Sequence, residues 1–347
     1  MNKFIAIIVL STLVLSACQR DLNIPLPQHE PRLTLYAFLQ EGEPIDLYVM
    51  RSFGILENLE DKDVAVADAK VELYKNGILI DELQYKDTTF TDTLWTYTFS
   101  PGQGLPDTTI YYTEVLNGAK YFPIKQLAAP KAGETYKFVA SHPTYGTAEG
   151  ETTLPAIPDL RGVKFYADSL SFVDSYGDEM NWSALDLKIN DPAGEGNHYN
   201  FIIGVDYEAD DFQGGLEERR DWKWPGLEII SDPDGYTYIQ NSPLSDEDFD
   251  GQTSDQLWWF DLPESFRWSG QEPREVNYHR LLIQGISLSK EYARFQEKLQ
   301  LQTYNRLSGI ESAFVPSEPV IIPNNVKGGY GVIGSFNVAE PYILELQ

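Results

Sequence analysis

Lys70-Val71-Glu72-Leu73-Tyr74-Lys75-Asn76-Gly77-Ile78-Leu79-Ile80-Asp81-Glu82-Leu83-Gln84-Tyr85 is the stretch that decides the fold. Val71 and Leu73 alternate with Glu72 and Tyr74, the period-two pattern of a half-buried strand, and a second apolar run follows Asn76-Gly77. Asn-Gly tolerates the two positive φ angles of a tight hairpin turn, so the segment predicts two antiparallel strands joined at residues 76 and 77. Similar short runs lie on either side: Leu33 to Leu39, Ile45 to Ser52, Thr96 to Ser100, Ile110 to Leu116, Thr135 to Ser141 and Thr147 to Leu154. Gly and Pro punctuate them, and no amphipathic helix competes. Seven or so strands over residues 31–155 predict an immunoglobulin-like β-sandwich.

Pro155-Ala156-Ile157-Pro158 holds the chain extended and removes ladder donors, which makes it the expected interdomain hinge. A chain of 347 residues exceeds what one core usually serves. The remainder, 159–347, is expected to form a second β-rich domain, with strands at Val163 to Phe172, Ala184 to Ile189, His198 to Val205, Tyr278 to Ile286 and Tyr330 to Val338. One amphipathic helix is expected from Ser289 to Thr303, capped by Ser289, with Tyr292, Phe295, Leu299 and Gln302 sharing a face. The fold class is therefore mainly β.

The N-terminus has its own logic. Lys3 and the apolar run Phe4 to Val14, too short to span a bilayer, read as a signal peptide over residues 1–17. Leu15-Ser16-Ala17-Cys18 then reads as a lipobox, small residues preceding a cysteine whose thiol can be acylated. Cys18 is the only cysteine, which excludes disulfides, thiolate catalysis and Cys-based zinc sites. The chains that a bacterial lipoprotein carries bury enough methylenes to anchor the body firmly to a membrane. Residues 18–30, with Pro25 and Pro27, are expected to be a stiff lipidated tether. Gln19-Arg20-Asp21 is similar to the signal that exports Bacteroidota lipoproteins to the outer face of the outer membrane.

The formal charge of −27 repels phosphate backbones and anionic lipid. Nucleic acid is excluded as a partner, and membrane attachment has to come from the lipid anchor.

Four features occur in order along the mature chain: the lipobox with Ile24-Pro25-Leu26 and a first strand; Ala69-Lys70-Val71-Glu72-Leu73-Tyr74 with its Asn-Gly turn; Ala132-Gly133-Glu134-Thr135-Tyr136; and Ser287-Leu288-Ser289-Lys290-Glu291-Tyr292 followed by Asn325-Val326-Lys327-Gly328-Gly329-Tyr330-Gly331. This order resembles a Bacteroidota outer-membrane lipoprotein family catalogued as domain of unknown function four thousand two hundred and forty-nine. Members are typically encoded beside TonB-dependent receptors. The resemblance implies a surface-exposed, non-enzymatic accessory or ligand-binding lipoprotein whose partner is a TonB-dependent outer-membrane β-barrel. It brings no catalytic residues.

Two further stretches bear on chemistry. Gly329-Tyr330-Gly331-Val332-Ile333-Gly334 has the spacing of a dinucleotide loop, but a strand-like run follows where that motif needs a helix, so it reads as a glycine-rich β-turn. His29, His142, His198 and His279 fall in no nucleophilic motif. Residues 206–264 hold 17 acids against 3 basic residues, and Trp222, Trp224, Trp258 and Trp259 lie among them. Exposed indoles beside carboxylates would serve a glycan or peptide site, whereas indoles tucked under the sheet would form a satellite core. Within this segment Asp246, Asp248, Asp250 and Gln252, with Gly251 at the sixth position, form the first half of a calcium loop. The twelfth-position acid is missing, since Leu257 stands there. A solvated acidic turn is the alternative; no cofactor is otherwise required. A free-standing glycan-binding lipoprotein and a glycoside hydrolase using an acid pair from the segment are the rival functions. Asp92-Thr93-Leu94 and Asp168-Ser169-Leu170 are similar to a Bacteroidota O-glycosylation motif.

Overall fold

The computed structural model describes residues 29–54, 57, 64–99, 106–173, 179–194, 196–210, 216–223, 225–231, 237–240, 242–262, 277–311 and 321–346. The expected signal peptide, Cys18 and the expected tether up to residue 28 lie outside the described residues, as does Trp224. The chain is mainly β, with one described helix. Its strands are β1 (Leu33–Gln40), β2 (Leu47–Arg51), β3 (Lys70–Lys75), β4 (Ile78–Phe99), β5 (Pro106–Pro123), β6 (Thr135–His142), β7 (Gly146–Thr153), β8 (Asp159–Val173), β9 (Glu179–Asn190), β10 (His198–Asp210), β11 (Leu216–Lys223), β12 (Glu228–Ser231), β13 (Thr237–Gln240), β14 (Leu244–Ser245), β15 (Thr253–Asp261), β16 (Asn277–Leu288), β17 (Tyr330–Val338) and β18 (Tyr342–Glu345). Helix α1 (Lys290–Glu311) lies between β16 and β17.

The decisive hairpin forms as read: β3 and β4 pair antiparallel, and Asn76 and Gly77 take φ of 48° and 79°. β4 and β5 run much further than their punctuation suggested, pairing from Leu83↔Pro123 to Phe99↔Pro106. Thr and aromatic residues dominate the added length, residue types that fit a pleated ribbon.

Alternation places one face of each strand inward. Leu33, Leu35, Ala37 and Leu39 of β1, Tyr136, Phe138 and Ala140 of β6, and Ala148 of β7 bury together in a first core. The Tyr121 hydroxyl locks a loop onto this core, donating to the Val66 carbonyl at 2.8 Å and accepting from the Ala69 N–H at 3.0 Å. A second core is sandwiched between the sheet β15-β9-β8 and the strands β10 and β16. It contains Leu185, Leu187, Phe201, Ile203, Val205, Phe260 and Ile283.

The two cores do not belong to two separate sheets. One path runs β11-β10-β16-β17-β1-β2-β5-β4-β3-β6-β7, because β17 crosses back to lie parallel to β1, from Thr34↔Tyr330 to Gln40↔Phe336. Val326 and Ile333 are buried in the first core although they lie near the end of the chain. Glycine permits the crossing. Gly331 has φ of 119°, and a Cβ there would stand 1.9 Å from the Leu35 carbonyl oxygen. The dinucleotide-like spacing thus serves a close strand pairing. On the far edge, β7 meets the segment before β17 through paired bonds between Glu149 and Lys327, at 2.9 and 2.7 Å, which curls the first half on itself.

Helix α1 starts as expected. The Ser289 hydroxyl accepts from the Tyr292 N–H at 3.4 Å, and Tyr292 and Phe295 pack on Phe38 with ring centroids 4.7 and 5.6 Å apart.

Candidate functional site

The tryptophans of residues 206–264 do not form one exposed patch. Trp258 sits on the inward face of β15, opposite Leu185, and is 0% exposed. Its ring meets Phe201 edge-on at 4.6 Å, and its indole N–H has no partner among the described residues. Trp258 is therefore a core residue, which removes it from the expected ligand-binding set. Alternation explains this, since its neighbours Leu257 and Trp259 point the other way along β15. Trp259 is half-buried, and its backbone pairs with Gly226 at 3.0 and 2.8 Å. Trp222 lies in β11 opposite Gly204.

The acidic turn is drawn into a clasp. Asp246, fully buried, accepts the N–H groups of Gly196 at 3.1 Å and Asn197 at 3.0 Å. Asp250 accepts the Gly194 N–H at 2.7 Å. Asp191, which the spacing of the turn could not reveal, accepts the Gly251 N–H at 2.8 Å and the Tyr199 hydroxyl. Burial, then the bond to Asp191, raises the Tyr199 pKa. Carboxylate oxygens of Asp191, Asp246 and Asp250 lie within 4.8 Å of one another. These are the hard oxygen donors that calcium takes, but backbone amides already hold each of the three carboxylates, so the group joins the 191–197 loop to the 246–252 turn. Asp248 and Gln252 are exposed and stand outside this group; Gln252 contributes its carbonyl to the Asp191 N–H at 3.2 Å. Gly251, with φ of 68°, makes the tight turn that its position implied.

A cleft of about 510 Å³ opens on the outer face of β10, β11, β16 and β18, lined by Asp206, Glu218, Arg220, His279, Arg280 and Glu345. Its floor is a row of alternating charge. Tyr207, Val205 and Ile203 point into the second core, so Asp206 points outward, directly between Arg220 of β11 and Arg280 of β16. Glu345 of β18 is the next residue in the row, opposite Arg280. Arg220 grips Asp206 through Nε and Nη2, the latter at 2.8 Å, and Arg280 reaches it through Nε. The Arg220 bond, then the Arg280 bond, overcome desolvation and hold the Asp206 carboxyl down at about 2. The register slips between Asp206 and Tyr207, leaving His279 as an extra residue at the rim, where a bulge re-aims the side chain. Sequence reasoning flagged only the acidic density around Asp206. The register that joins residues 206, 220, 280 and 345 has no local signature.

The family model described as domain of unknown function DUF4249 matches residues 19–341. The chain belongs to this family. No curated protein matches it. Two solved structures similar to it over most of its length are the B domain of a biofilm-associated protein and the C-terminal globular domain of an oligosaccharyltransferase from Pyrococcus abyssi. The first is 9% identical, over 91% of this chain and 86% of that one, with a TM-score of 0.18. The second is 9% identical, over 93% and 52%, with a TM-score of 0.16. Both scores are far below that of a shared three-dimensional arrangement, so the DUF4249 chain takes no function from either.

Proposed function

We propose that this protein is a lipid-anchored outer-membrane lipoprotein, exposed at the cell surface, that acts without catalysis as an accessory or ligand-binding partner of a TonB-dependent transporter. The observation that carries the reading is an adjacency. The family match begins at residue 19, immediately after the lipobox cysteine Cys18. A processed chain would thus begin with its acylated residue and continue directly into the family body. No described helix is long and apolar enough to cross a membrane. With a formal charge of −27 the body is repelled by anionic headgroups, so lipid at Cys18 is the attachment that the physics favours. The barrel partner rests on the family resemblance. An outward cleft built from ion pairs on strands, with no nucleophile and base in contact among the described residues, suits recognition better than bond-breaking.

Replacing Cys18 tests the anchor. Cys18→Ala should move the protein from the membrane pellet to the soluble fraction, and a variant that pellets as fully as the wild type contradicts it.

A further inference from the structure

We propose that the cleft on β10, β11, β16 and β18 binds a zwitterion, an amino acid or short peptide whose free carboxylate seats on Arg280 and whose free ammonium faces Glu345 or Glu218. The inference rests on the ligand-binding reading above and needs no barrel partner. Arg280 uses only Nε on Asp206. Its two terminal nitrogens have no protein partner among the described residues, although the side chain is only 43% exposed. Asp206 therefore holds the guanidinium at Nε and leaves its two outer nitrogens for a ligand in the cleft that Arg280 lines. A fork held in this way loses little entropy on binding and matches a carboxylate in two parallel hydrogen bonds.

The same row leaves an acid unused. Glu345 stands opposite Arg280 in register, exposed, yet the two form no ion pair. Opposed charges on neighbouring strands ordinarily attract, so an unjoined pair at a cleft leaves one donor set and one acceptor set open to a ligand. Glu218 adds a second acid from β11.

Charge balance selects the ligand class. Two guanidiniums face three carboxylates, those of Asp206, Glu218 and Glu345, so a simple anion meets a net negative wall. A simple amine leaves the Arg280 fork empty. A molecule carrying both charges satisfies both rims, and a cleft of about 510 Å³ is the size of a small-molecule site.

The test titrates mature, full-length lipoprotein in detergent with trialanine by calorimetry, and compares the C-terminal amide and the N-acetyl derivative. Trialanine should bind saturably, and each blocked peptide should bind about tenfold or more weaker, the loss expected for one charge-assisted contact. Arg280→Gln should bind trialanine and its amide equally weakly, and Glu345→Gln should lose the preference for a free amine, with thermal midpoints checked for both. No saturable binding, or an amide that binds as well as the acid to the wild type, overturns the proposal. Because the peptide comparison uses the unmodified protein, misfolding of a variant does not rescue it. Membrane fractionation and co-isolation of a barrel would be unaffected, so failure here is distinguishable from failure of the anchored-partner reading.

Discussion

Trp258 separates two uses of an indole. Fully buried against Phe201, it contributes packing and carries an N–H with no partner among the described residues, so the two obvious substitutions should diverge. Trp258→Ala opens a cavity expected to destabilise by about 3–5 kcal/mol. Trp258→Phe keeps most of the ring and removes the orphan donor, and should lose distinctly less. Urea denaturation checks both, and a Phe variant as unstable as the Ala variant would contradict the core assignment. Asp206 makes a pH prediction. Its folded pKa lies below the ordinary carboxylate value, so its contribution to stability is complete above about pH 4 and is lost as pH falls toward 2. The depression is worth at most about 2.5 kcal/mol, and nearer 1 because Arg220 and Arg280 are each about two-fifths exposed. Asp206→Asn should flatten the stability-pH curve between about pH 4 and 2 relative to the wild type. An unchanged slope would mean that the two guanidiniums do not hold the carboxylate.

At the scale of elements, the 246–252 turn and the 191–197 loop stand or fall together. Asp246→Ala strands the part-buried N–H groups of Gly196 and Asn197 and should destabilise by about 1–3 kcal/mol. Because amides already satisfy the clasp, millimolar calcium against chelator should leave the thermal midpoint in place. A cation bound at a hundred times its dissociation constant would add about 2.7 kcal/mol, a rise of several degrees, and such a rise would support the calcium reading instead. The sequence made some elements legible and hid others for physical reasons. β1, β3, β6, β17 and the start of α1 could be read because alternation, Asn-Gly and a Ser cap are local signals. The β1–β17 pairing could not, since it joins residues about three hundred positions apart through glycines that a local reading assigns to a turn. The acidic density of residues 206–264 pointed to Asp206, Asp246 and Asp250, but Asp191, Arg280 and Glu345 reach them only through register and loop contacts.

For the whole molecule, β17 makes one sheet of two halves, and the cores on either side of it share that strand's order. A rigid, strongly acidic β body behind a lipid-bearing cysteine is what the proposed role requires: a scaffold that is held at a surface and presents its cleft outward. Recognition by a barrel is the central claim, and one measurement addresses it. The mature protein, tagged at its C-terminus and expressed at its native level, is purified from detergent-solubilised outer membranes, and the co-isolated proteins are identified by mass spectrometry. The account predicts near-stoichiometric recovery of a single TonB-dependent β-barrel. Quantitative recovery of the lipoprotein without any such barrel, from membranes that contain them, would contradict it.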